Sequence, residues 1–247
     1  MAVTGLPEVE AGAPLGRLIA TALAGDGGRI RPGDLVVVSQ KAVSKAEGRV
    51  RDLASVEVGE RASSLAAELG KDPRIVQLVL DESRALIRAE RGVLVAETRS
   101  GWICANAGID ASNVPGGDRV TLLPEDADAS ARRIRAEVHA ASGVRPAVVV
   151  ADSFGRPWRV GQVDVAIGCA GLAPVEDRRG QPDREGRELE ATEVAIADQV
   201  AAAADLARDK GSGEPVCLVR GLDRHVIAED GPGAAALRRP EADDLFR

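Results

Sequence analysis

Aromatic side chains are scarce in this chain of 247 residues: they make up 2% of it, and tyrosine is absent. Proteins that hold single-stranded nucleic acid stack its bases on aromatic rings, so a chain this poor in aromatics is not predicted to be one of them. A surplus of basic residues is missing as well, because the formal net charge is −7 and the calculated pI is near 5.1. Such a charge disfavours general affinity for polyanions, and we expect no nucleic-acid partner.

Cysteine and long apolar runs are also in short supply. The three cysteines, Cys104, Cys169 and Cys217, are far apart and form no C-x-x-C pair. An odd, dispersed set favours a reducing compartment over disulfides or structural zinc. No stretch reaches the ~18 to 20 consecutive apolar residues of a membrane helix, and the N-terminus lacks the basic flank and apolar core of a secretory signal. We therefore expect a cytoplasmic protein with no membrane partner.

Several common catalytic and nucleotide-binding motifs are absent. The chain contains neither a G-x-x-x-x-G-K-[ST] phosphate loop nor a G-x-G-x-x-G motif after a strand, and it lacks the H-E-x-x-H zinc motif. Its two histidines, His139 and His225, fall in a predicted helix and in the C-terminal stretch, where a surface role outweighs catalysis. Serine–histidine–aspartate chemistry has no support, and a nucleotide, if one binds, is held by a different arrangement.

What the chain does contain is enough apolar sequence, 45%, for a full core. Helix-like spacing alternates with short apolar runs, which predicts an α/β fold with a mixed sheet and flanking helices, since paired short strands argue against a purely parallel sheet. From residue 224 onward, charge, glycine and proline predict a tail or linker, leaving 1–223 as the domain. Helices are predicted near 15–23, 60–69, 73–80, 126–142 and 188–206, and strands at 35–38, 85–88, 92–96, 147–151, 163–169 and 215–220.

One acidic cluster is predicted just past the apolar strand 147–151, where Asp152 and Ser153 precede Gly155, Arg156 and Arg159. Carboxylate and hydroxyl oxygens suit a hard divalent cation, and arginines suit phosphate. An Asp-Ser turn with solvated arginines explains the same residues. A second cluster at 106–113 contains Asp110 and follows another apolar run. Two acids at strand ends, far apart in sequence, would then share one metal site.

A third candidate follows the buried strand at 35–38, where Lys41 and Lys45 lie four residues apart. Ligands of α/β folds commonly bind at strand ends, and lysine offers a compact positive charge to a phosphate. Solvated surface lysines account for the same residues equally well. The Gly5–Val9 stretch reads as a turn and carries little information by itself.

Taken in order, these segments resemble the coenzyme F420-0:L-glutamate ligase family, GTP-dependent enzymes that add glutamate to the deazaflavin coenzyme F420. The similarity covers most of residues 5–222 and keeps both residue identity and spacing in SKAEGR and NAGIDASN. The matching segments are GLPEV, GDLVVVSQKAVSKAEGRV, NAGIDASNV, ADSFGRPWRVGQVDVAIG, GRELEATEVAIADQVAAAADL and PVCLVRGL.

The resemblance implies a family-specific ligase fold, an intertwined homodimer, and a site for GTP with two divalent cations, Mg²⁺ or Mn²⁺, with K⁺ as a further candidate ion. Asp110 and Asp152 would be catalytic metal ligands, joined by Ser153 where the family often has threonine. Residues that the resemblance places against GTP are Leu6, Pro7, Glu8, Val9, Gln40, Lys41, Lys45 and Asn113. The loop 208–213 departs from the family pattern by one residue, so Asp209 and Lys210 are alternatives for completing the second metal position.

The function that the resemblance implies is ligation of L-glutamate to coenzyme F420-0, and then γ-linked to F420-1. The expected route passes through an acyl phosphate and releases GDP and phosphate. Two alternatives share the same motifs: a metal-dependent nucleotide phosphohydrolase, and a non-catalytic nucleotide-binding module of a two-domain F420 biosynthesis protein. The stretch 238–247 resembles the link that joins some members to a reductase-like domain.

Overall fold

The computed structural model describes residues 1–25, 29–112, 116–208 and 211–245. Its longer helices are α1 (Leu15–Gly25), α2 (Gln40–Ala46), α3 (Glu60–Leu69), α4 (Pro73–Glu82), α5 (Ala127–Ser142) and α6 (Ile196–Asp205). The strands are β1 (Leu35–Ser39), β2 (Val50–Asp52), β3 (Ser83–Glu90), β4 (Val93–Thr98), β5 (Ile103–Ala105), β6 (Arg119–Thr121), β7 (Ala147–Arg156), β8 (Arg159–Ala170), β9 (Val175–Asp177), β10 (Glu193–Ala195) and β11 (Val216–Val219).

A four-stranded mixed sheet in the order β11-β1-β7-β8 forms the centre of the fold. Strand β1 runs parallel to β7 and antiparallel to β11, and β7 runs antiparallel to β8. Val36 and Val148 face a core shared with α1 and α5, whereas Val37 and Val149 face a core shared with α6. Because both faces are covered, the strands are apolar throughout. The predicted α/β fold with a mixed sheet and flanking helices is confirmed.

A second part of the molecule is built on the antiparallel sheet β3-β4-β5, which packs against α3 and α4. Its small core includes Ala62, Val76 and Leu94. The same core buries Ala107, in a short 3₁₀ turn directly after β5. This packing anchors the loop that carries Asp110. Among the described residues, no helix combines the length and apolar character needed to cross a membrane.

The predicted boundaries of three elements are wrong. The helix predicted over 188–206 begins only at Ile196, because Glu193–Ala195 pairs with β9 and its backbone groups are committed to that ladder. Strands β7 and β8 are longer than predicted and form one hairpin with register Ser153↔Asp164 and Arg156↔Arg159. Asp152 therefore lies within a strand, and does not follow its end.

The stretch after residue 224 is also not a free tail. Ile227 N–H donates to the Gly171 carbonyl, Ala234 is fully buried, and the carboxylate of Asp128, at the start of α5, accepts from Ala234 N–H at 2.7 Å. This packing could not be predicted from the polar sequence of the segment, because backbone hydrogen bonds hold the segment more than apolar side chains do. The prediction of a linker is wrong for these residues.

Arg135 of α5 is the main anchor of this segment. Its guanidinium is 1% exposed, and it donates to the carbonyls of Pro146 and Ile227, each at 2.8 Å, and to an Asp230 oxygen at 2.6 Å. Gly171 lies against it with φ +75°, and a Cβ there would come within 2.5 Å of Nε. The C-terminal segment and the edge of the sheet are thus joined through one buried cation.

Replacing Arg135 with methionine should lower the free energy of unfolding by about 3 kcal/mol, because several buried acceptors lose their donor and each unsatisfied one costs about 1 to 3 kcal/mol. Chemical denaturation followed by circular dichroism measures the change. The matched control is Arg132→Ala on the same helix, whose weak ion pair spans 3.8 Å, and which should stay within about 0.5 kcal/mol of the parent. Equal stabilities for the two variants would contradict the anchoring role.

Candidate active site

Asp152 lies at the point on β7 where the strand passes from the buried part of the sheet toward solvent. The strand is fully buried through Ala151, whereas Asp152 and Ser153 are partly buried and Gly155 is exposed. On the neighbouring strand, Asp164 lies opposite Ser153 and is 3% exposed. The transition from core to surface therefore occurs among polar side chains, and two of them are carboxylates on adjacent strands.

Asp110 reaches the same region from the other part of the molecule. Its backbone is held by reciprocal hydrogen bonds with Thr121 of β6, at 3.1 and 2.8 Å. One carboxylate oxygen accepts from Ser112 N–H at 2.6 Å, and the other pairs with Lys41 Nζ at 2.8 Å. Asp110 is thus oriented from three sides, and it lies close enough to Asp152 for its charge to raise the pKa of that carboxyl.

The electrostatics of the two acids differ. Burial raises the pKa of Asp152 to about 7, with further upward contributions from the charges of Asp164 and Asp110. Burial also acts to raise the pKa of Asp110, but hydrogen bonds from Lys41 and Ser112 outweigh it, and the pKa lies below its ordinary value. Asp110 has a cation directly beside it, whereas the charge of Asp152 is compensated only in part, by the Ser153 N–H and the charge of Lys41.

The donor set at this place fits a hard divalent cation. Asp110 and Asp152 offer carboxylate oxygens, and a buried carboxylate whose charge is only partly compensated favours a cation beside it. Ser153 follows Asp152 on β7, but its hydroxyl lies on the opposite face of the strand, where it donates to Asp164 at 2.6 Å. Across the ranges that the structure describes, no three His, Cys, Asp or Glu side chains gather into a metal-binding group. This smaller set suits Mg²⁺ or Mn²⁺, which proteins often hold with one or two carboxylates plus substrate phosphates and water.

The lysines predicted to contact a nucleotide lie on α2, which begins directly at the end of β1. Lys45 Nζ pairs with Glu8 at 2.6 Å, so the N-terminal turn that contains Leu6, Pro7, Glu8 and Val9 lies against this helix. Gln40 is fully buried, and its amide Nε2 has no hydrogen-bond partner among the described atoms. A contact between Gln40 and a ligand would therefore use its backbone or require the side chain to move.

Other predicted residues are not brought into this cluster. Arg156 and Arg159 form the exposed end of the β7–β8 hairpin, four or more residues along the strand from Asp152, or roughly 13 Å at the usual strand rise. Arg156 donates to the Val160 carbonyl at 3.1 Å. Asn113, Asp209 and Lys210 lie outside the described residues, so the predictions for them stay predictions.

Comparison with known proteins places the chain in a family. The family model described as F420-0:Gamma-glutamyl ligase matches residues 5–221. The chain belongs to the F420-0:gamma-glutamyl ligase family. It is 43% identical to "Coenzyme F420:L-glutamate ligase" of Methanothermobacter thermautotrophicus over 99% of this chain and 97% of that protein. The protein of the same name from Haloarcula marismortui is 42% identical, over 100% of this chain and 94% of its own length.

Membership in the F420-0:gamma-glutamyl ligase family confirms two expectations from the sequence: the resemblance itself, and the assignment of the chain to the ligases. A relative from Methanocaldococcus jannaschii carries the same name and is 39% identical over 88% of this chain and 86% of its own. The match therefore extends across both parts of the molecule that contribute to the carboxylate cluster.

Two features near this candidate site escaped sequence reasoning. Asp164 interrupts the apolar run of β8, and a charged residue within a strand buried on both faces was the available clue. Asn106 and Ala107 both have left-handed backbones, with φ of 50° and 52°, and the Asn106 side-chain oxygen is buried with no hydrogen-bond partner among the described atoms. Strained backbone of this kind concentrates at functional sites. The residue types at 106 and 107 gave no basis for predicting it.

The raised pKa of Asp152 predicts how an Asp152→Asn variant changes stability when no divalent cation is present. In the parent, the folded state binds a proton that the unfolded state loses above the ordinary pKa of 3.8, so stability falls as pH rises from about 4 to about 7. The neutral amide lacks this loss. Asp152→Asn should therefore match the parent near pH 4 and exceed it above pH 7, by on the order of 1 kcal/mol or more.

Urea titrations at several pH values with a chelator present measure this difference. Asp81→Asn, which alters an exposed aspartate at the end of α4, is the control and should show no such dependence. A variant that is less stable than the parent at pH 8 would show that the Asp152 carboxylate is favourably compensated in the cation-free protein.

Proposed function

We propose that this protein ligates L-glutamate to coenzyme F420-0 at the expense of GTP and then adds a second, γ-linked glutamate to F420-1. The name shared by its relatives supports the coenzyme and the amino acid. The observation that carries the chemistry is the convergence of Asp110, Asp152 and Lys41 at one place. Phosphoryl transfer is catalysed mainly by positioning and electrostatic stabilisation, which metal-binding carboxylates and a lysine can supply.

The proposed reaction has two steps. A carboxylate oxygen of F420-0 attacks the γ-phosphorus of GTP and GDP leaves, which gives an acyl phosphate. The amino nitrogen of glutamate then attacks the acyl carbon, phosphate leaves, and the nitrogen loses a proton. No covalent bond to the protein forms, so the side chains act through position and charge.

Asp110 and Asp152 would hold the divalent cation, Mg²⁺ or Mn²⁺, with K⁺ as a further candidate ion. Ser153, whose hydroxyl faces Asp164, stays a predicted ligand. When bound, such a cation neutralises charge on the transferring phosphoryl group and draws its oxygens into place. Lys41 and Lys45 would bind phosphate oxygens. Both lysines are paired with carboxylates in this structure, and each ammonium has three N–H donors to divide between its carboxylate and a phosphate.

The proposal also includes a homodimer and a cytoplasmic location. The turn between β7 and β8 supports self-association, since Trp158 and Val160 are 84% and 99% exposed. Exposed large apolar side chains at the end of a protruding hairpin suit burial against a second copy. The cytoplasmic location rests on the dispersed, buried cysteines.

Ligation is tested by incubating the protein with GTP, L-glutamate, F420-0 and Mg²⁺ and measuring the products by mass spectrometry. We expect product masses higher by one and then two glutamyl groups, and one GDP released per glutamate. Asp152→Asn should remain folded and lose at least about a hundredfold in rate, as expected when a charge that positions the reacting groups is removed. Asp81→Asn is the control and should keep the parent rate.

The two alternatives give different results in the same assay. GDP release that needs neither F420-0 nor glutamate would identify a nucleotide phosphohydrolase. Tight GTP binding without any product would identify a non-catalytic nucleotide-binding module. Normal amide formation by Asp152→Asn would show that this carboxylate does not serve the reaction.

Nucleotide binding provides a separate prediction for the two lysines. A charged hydrogen bond is worth about 1.5 to 3 kcal/mol, so Lys41→Gln and Lys45→Gln should each weaken GTP binding by about tenfold or more. Calorimetric titration with GTP measures the dissociation constants. Lys71→Gln, in the loop between α3 and α4, is the control, and equal affinities for all three variants would remove the lysines from the nucleotide site.

A further inference from the structure

The two cation positions that the resemblance implies differ in their surroundings. Alternate residues of β7 face opposite sides of the sheet. Val150 and Phe154 pack in the core with α1 and α5, so Asp152 lies on that face. Ala151 packs in the core with α6, so Ser153 lies on the other face. Two predicted ligands that are adjacent in sequence therefore point to different places.

A charged pair already surrounds the Ser153 hydroxyl. Ser153 Oγ donates to one oxygen of Asp164 at 2.6 Å, and the Arg208 guanidinium donates to the other. The pair is well buried, since the side chains of Arg208 and Asp164 are 9% and 4% exposed. Burial of a carboxylate is costly unless hydrogen bonds and an opposite charge compensate it. On this face of the sheet, the protein itself supplies the compensating cation.

The Arg208 guanidinium lies among oxygen atoms from three elements. Besides Asp164 on β8, it donates to the Pro215 carbonyl, just before β11, at 3.3 Å. An oxygen of Asp205, on α6, lies 3.9 Å from it. Carboxylate, carbonyl and hydroxyl oxygens are also the ligands of hard divalent cations. A divalent cation at Ser153 Oγ would lie beside this guanidinium, which keeps its charge in proteins, and would be repelled by it.

The face that carries Asp152 has a different balance of charge. The Ser153 N–H and the charge of Lys41 compensate Asp152 only in part, and the charge of Asp110 acts on the same carboxylate. Two carboxylates and one lysine leave a net negative charge that favours a divalent cation. Asp164 and Arg208 leave none, because one carboxylate and one guanidinium cancel.

We propose that each active site holds one divalent cation, on the face of Asp110 and Asp152, and that Arg208 takes the place of the second cation. The inference rests on the proposed function, because it takes the first cation from there. It assigns Asp164 to the guanidinium and removes Ser153 from the metal ligands.

Counting bound Mn²⁺ tests the inference and needs no turnover. The protein is titrated with Mn²⁺ alone, and the free ion is followed by electron paramagnetic resonance. We expect one Mn²⁺ per chain in the parent and none in Asp152→Asn at the same concentrations. Two Mn²⁺ per chain in the parent would overturn the inference, whichever residues held the second ion.

Arg208→Met should open the second position. The substitution removes the guanidinium and leaves three kinds of oxygen ligand at one place: the Asp164 carboxylate, the Pro215 carbonyl and the Ser153 hydroxyl. We expect Arg208→Met to bind two Mn²⁺ per chain, and Arg208→Met combined with Asp164→Asn to bind one. A single Mn²⁺ in Arg208→Met would show that Arg208 does not take the place of a cation.

The matched control is Arg132→Met, which removes the same charge from α5, where the arginine is 40% exposed and its ion pair spans 3.8 Å. It should bind one Mn²⁺, and a second ion there would mean that net charge alone sets the count, against the inference. Mn²⁺ should also raise the melting temperature of Arg208→Met more than that of the parent, since the variant binds an additional ion. If Arg208→Met does not fold, the count in the parent decides.

The same titrations separate failure of this inference from failure of the proposed site. Two Mn²⁺ in the parent and one in Asp152→Asn would support the cation site at Asp152 and overturn only the inference. A single Mn²⁺ that persists in Asp152→Asn would overturn both, and so would a parent that binds no Mn²⁺.

Discussion

The site depends most on the partly buried carboxylate of Asp152, at the point where β7 leaves the core. Burial raises the pKa of Asp152, and the charges of Asp164 and Asp110 raise it further. Like charges in such a place are unfavourable unless cations accompany them. Two of the three have a cation beside them, Lys41 for Asp110 and Arg208 for Asp164. The described side chains therefore compensate the charge of Asp152 only in part, and its pKa stays raised.

Most elements of the fold around this position could be predicted from the sequence. Continuous apolar runs predicted the central strands, because a sheet covered on both faces has little alternation. Hydrophobic patterning also predicted α5 and the β3–β4 hairpin. The same patterning failed at Glu193–Ala195, where pairing with β9 prevails over the helix preference of the neighbouring alanines. It failed again after residue 224, where Arg135 holds backbone carbonyls that no apolar pattern marks.

The candidate site was predicted unevenly for a similar reason. Asp110 and Asp152 stood out because each belongs to a polar cluster after an apolar run, and the structure brings them together. Arg156 and Arg159 belong to the same polar run as Asp152, yet the hairpin carries them to its exposed end. The two arginines are close to Asp152 in sequence, but the extended strand places them far from it in space. Conversely, Asp164 joins Ser153 only through strand register, which a single sequence does not reveal.

The small number of carboxylates has a consequence for how such a site would operate. Two carboxylates would leave several positions of a six-coordinate ion open, and phosphate oxygens are the natural complement. Because Lys41 is paired with Asp110 in this structure, a bound cation would compete with Lys41 for that carboxylate. In the proposed function, a nucleotide would resolve the competition by offering its phosphates to both. Cation binding and nucleotide binding would then be thermodynamically coupled through one ion pair, and linkage requires the coupling to act equally in both directions.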